Sequence, residues 1–316
     1  MAKTASPSAS PNEDARLKRM VWIAFGVLIV IVCAFAAYYY YDRYVTPAGV
    51  ADTPDLSEQL AKKVREHPND ADARLALAES YLFNRHYADA IDQAQQVVNA
   101  YPKKDRALLI LGVSYNLSEQ PSKAVDPLSK FAAAHEKGSG AALDTGLESA
   151  LYYIADSYLK MKRPTDAVPP LEKAIQINPT DADALYALGL AYSRSGQHKK
   201  AIPAFQKATM LVPDYTEAYQ GMASSFHALG EADLATYANA MAAFSNDDFT
   251  GARDALVRVV AKKRSYGPAQ LGLGLVYEQL GAFRDAKAHL KLALQLDPGN
   301  VAVKQALGRV SASMQQ

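Results

Sequence analysis

The side chains best suited to catalysis are scattered along this sequence. No two of the six histidines lie four residues apart, and each falls in a different segment. A helical zinc site of the His-Glu-x-x-His type needs two histidines at that spacing. A Gly-x-Ser-x-Gly nucleophile motif and a phosphate-binding lysine loop are absent as well. We therefore predict no catalytic residue, no metal site and no cofactor, and a protein that is not an enzyme.

Two other patterns resemble ligand sites. Gly272 and Gly274 have the spacing of a nucleotide fingerprint, but they lie in a helical pattern and follow no strand. Lys262, Lys263 and Arg264 form the longest run of like charge. Cations are favoured near the C-terminal end of a helix, where the last carbonyls carry partial negative charge. We predict that role for the run, rather than an anion site.

The overall charge excludes one class of partner. The chain carries 34 basic and 33 acidic side chains, a net charge of +1. Nucleic-acid binders concentrate positive charge to displace counterions from phosphates. We predict no nucleic-acid partner. The single cysteine, Cys33, excludes both an internal disulfide and a cysteine zinc cluster.

Self-similarity at a spacing of 34 residues reveals the elements that carry these side chains. Tyr81 and Tyr115 are 34 residues apart, as are Tyr158 and Tyr192, and Tyr277 stands in the same local pattern. Four residues before each of these tyrosines stands a Leu or Ile, and a small residue follows that Leu or Ile directly. An alanine stands nine residues after each tyrosine. Prolines close most of the units, at Pro102, Pro179, Pro213 and Pro298.

The repeated residue types have a physical reason. The small residue and the later alanine belong where two helices approach most closely, because a larger side chain would push them apart. Proline lacks an N–H and disfavours helix in the residue before it, so it ends the second helix. Gly196, Gly230 and Gly281 fall at the turn between two helices, where a positive φ is expected.

This pattern closely resembles the tetratricopeptide repeat family. Residues 182–215 match all eight signature positions in kind. The resemblance implies an all-α fold, a right-handed α-solenoid of antiparallel helix pairs, over residues 55–316. We assign units to residues 71–104, 105–138, 148–181, 182–215 and 267–300, with a capping helix at 301–313 and a lone second-type helix at 55–67.

Two segments depart from the repeat. Residues 139–147 are extra, and we interpret them as a turn or a lengthened helix. Between 216 and 266 the register slips by seventeen residues. Residues 216–229 are predicted as a first helix and 250–264 as a second helix, whereas 232–245 fits either role. An extra helix there would bend the stack or expose an apolar face.

The resemblance also implies a binding groove lined by the first helices. Family groove positions transfer onto Leu75, Glu79, Leu82, Phe83, Arg106, Leu109, Val113, Asn116, Tyr152, Asp156, Lys160, Tyr186, Leu190 and Arg194, with Asp72 and Asp183 as further candidates. The family's clamp for a C-terminal carboxylate needs lysine and asparagine where this chain has Leu75 and Glu79. We instead expect an extended or helical apolar segment of a partner protein.

Residues 20–41 form a stretch of 22 residues without a charge. As a helix this stretch would rise about 33 Å, enough to cross a hydrocarbon core of roughly 30 Å. We predict a single transmembrane helix there, after a disordered tail at 1–19 and before a linker at 42–54. An alternative is a cleaved signal peptide, with Ala34-Phe35-Ala36 as the cleavage site.

The basic residues predict the orientation of this segment. Lys3, Arg16, Lys18 and Arg19 precede it, whereas the eighteen residues after Tyr41 contain only one basic residue. Positive residues resist translocation, so we predict a cytoplasmic N-terminus and an extracytoplasmic repeat region at a bacterial-type cytoplasmic membrane.

The sequence therefore predicts a membrane-tethered scaffold or assembly factor for a partner protein that it does not identify. The alternatives are a self-associating structural subunit, a regulatory arm of an enzyme and a released periplasmic protein. The oligomeric state is left open.

Overall fold

The computed structural model describes residues 56–137 and 141–315. Within them it contains fifteen α-helices, one 3-10 helix and no β-strand, so the predicted all-α class is confirmed for this part. The helices are α1 (Leu56–Glu66), α2 (Ala71–Phe83), α3 (Tyr87–Ala100), α4 (Arg106–Leu117), α5 (Pro121–His135), α6 (Thr145–Lys160), α7 (Pro164–Ile177), α8 (Ala182–Arg194), α9 (His198–Leu211), α10 (Thr216–Ala228), α11 (Ala232–Ser245), α12 (Phe249–Lys262), α13 (Gly267–Gln279), α14 (Phe283–Leu296) and α15 (Val301–Ser313). The 3-10 helix is Ala141–Leu143.

The N-terminal predictions fall outside the part of the chain that the structure describes. The predicted tail 1–19, membrane segment 20–41 and linker 42–54 all lie there. Among the helices between residues 56 and 315, none is both long and apolar enough to cross a membrane.

Helices pair through turns of one type. Between α8 and α9 the Gln197 N–H donates to the Tyr192 carbonyl at 2.8 Å, and Gly196 has a φ of 77°. This is the Schellman geometry that ends many helices. The same bond joins His86 to Tyr81, Gln120 to Tyr115, Arg163 to Tyr158, Glu231 to Phe226, Asp248 to Ala243 and Ala282 to Tyr277. The predicted positive φ is confirmed for all three turn glycines, at 72–77°.

The small residues of the repeat lie where the helices of a pair meet. A Cβ added to Gly189 would come within 2.6 Å of the Phe205 ring. A Cβ added to Gly112 would be 2.4 Å from Leu128. A Cβ added to Gly274 would be 2.5 Å from Leu290, which has the corresponding place in its own unit. The predicted close approach is therefore confirmed, and glycine is needed because a large second-helix side chain fills the space.

Linkers between pairs follow a second rule. The prolines at 102, 179, 213 and 298 each lie two residues after the last residue of α3, α7, α9 and α14. At the matching place after α12 the chain has Arg264. First helices are then capped, as in α8, where the Asp181 carboxylate accepts from the Asp183 N–H at 2.9 Å and the Ala184 N–H at 3.1 Å.

The extra segment before α6 combines a short helix and a lengthened one. Its described part contains the 3-10 helix, and α6 begins at Thr145, three residues before the predicted start of the unit at 148. The Asp144 carboxylate caps α6 by accepting from the Leu147 N–H at 3.0 Å. His135, at the end of α5, lies with Nδ1 2.5 Å from Asp144 and Nε2 3.0 Å from Asp105. One imidazole therefore joins the ends of three elements.

Helix α11 belongs to two pairs. It follows the turn closed by Glu231 and precedes the turn closed by Asp248, and both turns are of the within-pair type. It packs on α10 as a second helix and on α12 as a first helix, and it also contacts α13. Six alanines among its fourteen residues allow close approach on several sides. Its buried residues are Ala235, Tyr237, Ala238, Ala240, Met241 and Ala242. The exposed apolar face considered for this segment is therefore not formed on α11.

Candidate functional site

First helices of successive pairs contact one another and form a row, which is interrupted after α10 because α11 packs on α10 as its second helix. The contacts join α2 to α4, α4 to α6, α6 to α8, and α8 to α10, and the row resumes as α11, α13 and α15. We call the solvent-facing side of this row the groove face. Its residues come from the N-terminal half of each unit, where the transferred family positions lie.

The predicted groove residues divide into three classes of exposure. Leu75, Val113 and Asn116 are buried. The half-buried residues are Glu79, Leu82, Leu109, Tyr152, Asp156, Tyr186 and Leu190. The exposed ones are Phe83, Arg106, Lys160 and Arg194, together with Asp72 and Asp183. Phe83 is 89% exposed, which is unusual for a side chain of its size.

Asn116 is used inside the fold. Its Nδ2 donates to Ser157 Oγ at 2.9 Å, and its Oδ1 accepts from Lys160 Nζ at 3.2 Å. Lys160 Nζ also lies 3.4 Å from Asp156 and 3.2 Å from Glu119. Because a buried amide must satisfy its hydrogen bonds, Asn116 joins α4 to α6 rather than facing solvent.

At both ends of the groove face the charges are paired. Glu79 of α2 forms an ion pair with Arg106 of α4, and Asp72 forms one with Lys104. At the other end, Arg309 of α15 donates from Nε at 2.8 Å and from Nη2 at 2.9 Å to the Glu278 carboxylate of α13. These bridges connect neighbouring first helices or, through Lys104, a first helix and the linker before the next one.

In the middle of the groove face, Asp156 is paired with Lys160, but four other carboxylates have no such partner within the described part of the chain. Among the described residues, Glu148, Asp181, Asp183 and Glu217 take part in no ion pair. Burial, and then the hydrogen bond and charge of Asp181, raise the pKa of Glu148 to about 7. Two neighbouring carboxyl groups without a cation favour sharing a proton. We call residues 148, 181, 183 and 217 the central carboxylates.

Tyrosines lie among the central carboxylates. The Tyr215 hydroxyl donates to Asp183 at 2.7 Å, and its ring centroid lies 5.1 Å from that of Tyr186. Tyr152 on α6 is half-buried, and its pKa is raised by burial and then by the charges of Asp156 and Asp183. Burial and then the charge of Glu217 raise the pKa of Tyr186. These tyrosines therefore stay neutral hydrogen-bonding groups with exposed ring surface.

Several residues of the groove face were missed from the sequence. Glu148 and Asp181 are the first and last residues of the unit 148–181, and Tyr215 lies in a linker, so the sequence pattern does not show that Glu148 meets Asp181 or that Tyr215 meets Asp183. Glu217 and the half-buried Leu271 and Leu275 could have been found, by applying the same unit positions to residues 216–228 and 267–279. The described residues contain no group of three or more His, Cys, Asp or Glu side chains that could hold a metal ion.

Comparison with protein families agrees with this geometry. Residues 75–139 match one model described as tetratricopeptide repeat, and residues 158–225 and 243–310 match a second model with the same description. Together the matches span more than half of the chain. The matches that begin at residues 158 and 243 start in the last turns of α6 and α11. The family model therefore pairs α11 with α12 in the same way as it pairs α6 with α7.

Two solved structures show the same fold. The crystal structure of MamA protein is 25% identical, with a TM-score of 0.50, and the match covers 57% of this chain and 93% of that one. YrrB, whose structure is described as a TPR protein with an unusual peptide-binding site, is 18% identical with a TM-score of 0.52. That match covers 63% of this chain and 98% of YrrB. No curated protein sequence matches the chain.

Proposed function

Because this chain carries tetratricopeptide repeats, we propose that it is a protein-interaction scaffold or assembly factor whose groove face binds a segment of a partner protein. One observation carries this proposal. The middle of the groove face combines half-buried tyrosine rings with the central carboxylates, which form no ion pair within the described residues. Such a surface binds a segment that brings apolar side chains for the rings and a Lys or Arg for the carboxylates.

Membrane tethering is part of the same proposal. Residues 20–41 carry no charge, and four basic residues precede them. This pattern supports an uncleaved transmembrane anchor with a cytoplasmic N-terminus, and a repeat region outside a bacterial-type cytoplasmic membrane. The scaffold would then gather its partner at the outer surface of that membrane.

Crosslinking in membranes tests the binding proposal. A photoreactive amino acid at Tyr186 samples the groove face, and the same amino acid at Lys207, exposed on α9, serves as the control. We expect a defined protein to crosslink from position 186 and not from position 207. Equal yields from both positions, or no protein product from 186, would overturn the binding proposal.

Cysteine labelling tests the topology. In a Cys33→Ser background, a reagent that cannot cross membranes should label Lys103→Cys, an exposed linker residue, in intact spheroplasts. A cysteine at Ser8 should be labelled only after lysis. The opposite pattern would reverse the proposed orientation. Recovery of the Lys103→Cys chain in the soluble fraction, shortened at residues 34–36, would show instead that the segment is cleaved.

Self-association is the weaker candidate function. It would be mediated by the irregular region between residues 232 and 250. Most apolar residues of α11 are buried, and the helix packs on α10, α12 and α13. Sedimentation of the full chain in detergent measures this directly, since a monomer at micromolar concentration is incompatible with a structural oligomer.

A further inference from the structure

An open cleft of about 730 Å³ lies away from the groove-face carboxylates, beside the ends of α12 and α14. Its walls are the linker 263–266, the last turn of α14 and the start of α11. Much of the lining is apolar: Leu234, Tyr266, Leu292 and Leu296. Leu296 is 45% exposed, so part of this apolar surface faces solvent. We call this space the linker cleft.

Three cations line the linker cleft. Lys262 lies on it with its Nζ 2.9 Å from the Asp233 carboxylate. Lys263 and Arg264 follow, and within the described residues neither of their side chains has an ion pair or hydrogen bond. Lys263 is half-buried. The cleft therefore holds two positive charges that the described chain does not balance.

The linker after α12 departs from the proline rule. Five other linkers have proline two residues after the helix, whereas the linkers after α5 and α12 have Lys137 and Arg264 there. Attraction to the partial negative charge at the end of α12 accounts for Lys262, which is in the last turn. It does not account for Arg264, which lies beyond the helix, nor for the apolar lining beside it. A local helix-ending role is therefore an incomplete explanation for this run.

We infer that the linker cleft is a second docking site, which takes an acidic segment of a partner protein that also carries an apolar side chain. The carboxylates of that segment would bind Lys263 and Arg264, and the guanidinium offers two parallel donors. Its apolar side chain would cover Leu292 and Leu296. The chemistry is opposite to that of the groove face, where the unbalanced charges are negative.

Binding of a defined probe to the full chain tests this inference. The chain is embedded in phosphatidylcholine nanodiscs, and the probe is a fluorescein-labelled decapeptide of alternating Glu and Leu. We expect Lys263→Gln/Arg264→Gln to weaken probe binding by about tenfold or more, as two charge-assisted contacts are lost. Leu296→Ser should weaken it by about fivefold through the loss of apolar contact.

The matched control removes the same charge elsewhere. Lys199→Gln/Lys207→Gln changes two exposed cations of α9 and should alter binding by less than about twofold. Equal losses in the two double variants would overturn the inference, as would equal binding of a Gln-Leu decapeptide. Thermal melting of each variant separates loss of binding from loss of folding.

Other occupants give distinct results. Saturable binding of soluble short-chain phosphatidylglycerol that Lys263→Gln/Arg264→Gln weakens, with no saturable binding of the peptide probe, would assign the cleft to lipid and overturn the inference. Self-association that Lys263→Gln/Arg264→Gln abolishes would assign it to a second copy, with the same consequence. Neither result bears on crosslinking from position 186, so the groove proposal is judged separately.

Discussion

The pair α8/α9 and the single helix α11 bury their residues in different ways. In α8/α9 each helix has one partner within the pair, and Gly189 on the first helix receives Phe205 from the second. Helix α11 acts as second helix to α10 and as first helix to α12. One apolar core nevertheless continues from Ala155 through both regions to Val276. A repeat array can therefore shift by one helix without breaking its core.

The size of the shift explains the change of register. From the start of α11 at Ala232 to the start of α12 at Phe249 is seventeen residues, the length of one helix and its turn. That is half of the 34-residue unit. The insertion of one helix moves every later unit by this amount and changes no packing rule within them, as Gly274 against Leu290 shows.

The largest expected effect comes from filling the space inside the regular pair. Gly189→Leu places a side chain where Phe205 already lies, and overpacking of this kind costs about 3 kcal/mol of unfolding free energy. Urea unfolding followed by circular dichroism measures the loss. The control is Gly308→Ala on α15, where an added Cβ meets nothing within 4 Å. That change should stabilise by a few tenths of a kcal/mol to about 1 kcal/mol. Similar values for both variants would refute the close packing.

Shortening a buried side chain of α11 tests whether this helix connects the two regions. Met241 is 5% exposed, and Met241→Ala should cost about 2–3 kcal/mol through lost contacts and a residual cavity. Since α11 joins the cores on either side, we also expect its weakening to split urea unfolding into two steps. Met210→Ala, at a residue that is 80% exposed, should change stability by less than about 0.5 kcal/mol. A single unfolding step in the Met241 variant would mean that α11 is not the connection.

The fold could be predicted well because its determinants are local. The Leu-small-Tyr pattern and the later alanine recur within single units, and glycine at the turns fixes a positive φ. Helix α11 could not be assigned to one role because its alanines satisfy both. Ala235 and Ala242 fit a second helix, and Ala240 fits a first helix. Only the turns on either side, seen in three dimensions, show that it has both roles.

The site could be predicted less well because its partners are distant in sequence. Transferred positions identified Tyr152 and Tyr186, which are half-buried on the groove face. Asn116 is buried because Ser157, 41 residues later, accepts its hydrogen bond. The carboxyl pair of Glu148 and Asp181 likewise joins residues that are 33 positions apart, the first on α6 and the second just before α8. The local repeat pattern contains no information on contacts over such separations.

The insertion before α6 is held by charge, which gives a smaller and pH-dependent effect. Burial alone would lower the pKa of His135, but hydrogen bonds and charges from Asp144 and Asp105 outweigh it and raise the pKa. A histidine whose pKa is raised in the folded state stabilises the fold fully at pH values below its unfolded-state pKa, which is near 6.5. This stabilisation is lost as the pH rises through the folded-state pKa. We expect stability to fall by on the order of 1 kcal/mol between about pH 6 and pH 8.

The matching variant isolates that contribution. Glu148 titrates with a pKa of about 7, in the same range, so the comparison uses a Glu148→Gln background. There, the difference in unfolding free energy between His135 and His135→Gln should shrink as pH rises. A difference that stays constant with pH would show that the imidazole acts by packing against Phe131 rather than by its charge.

The smallest effect concerns the turns, and it compares the two regions directly. Lys162, in the turn after α6, has a φ of 58°, and Asp247, in the turn after α11, has a φ of 61°. Both are strained for residues with a Cβ, less for Asp than for Lys, so Lys162→Gly should stabilise by about 0.5–1 kcal/mol and Asp247→Gly by about half as much. Gly196→Ala, at a φ of 77°, should destabilise by about 1 kcal/mol. Thermal unfolding resolves these shifts. If Asp247→Gly instead destabilises, residue 247 does not hold a positive φ, the turn after α11 is not equivalent to the regular turns, and α11 cannot be counted as a first helix.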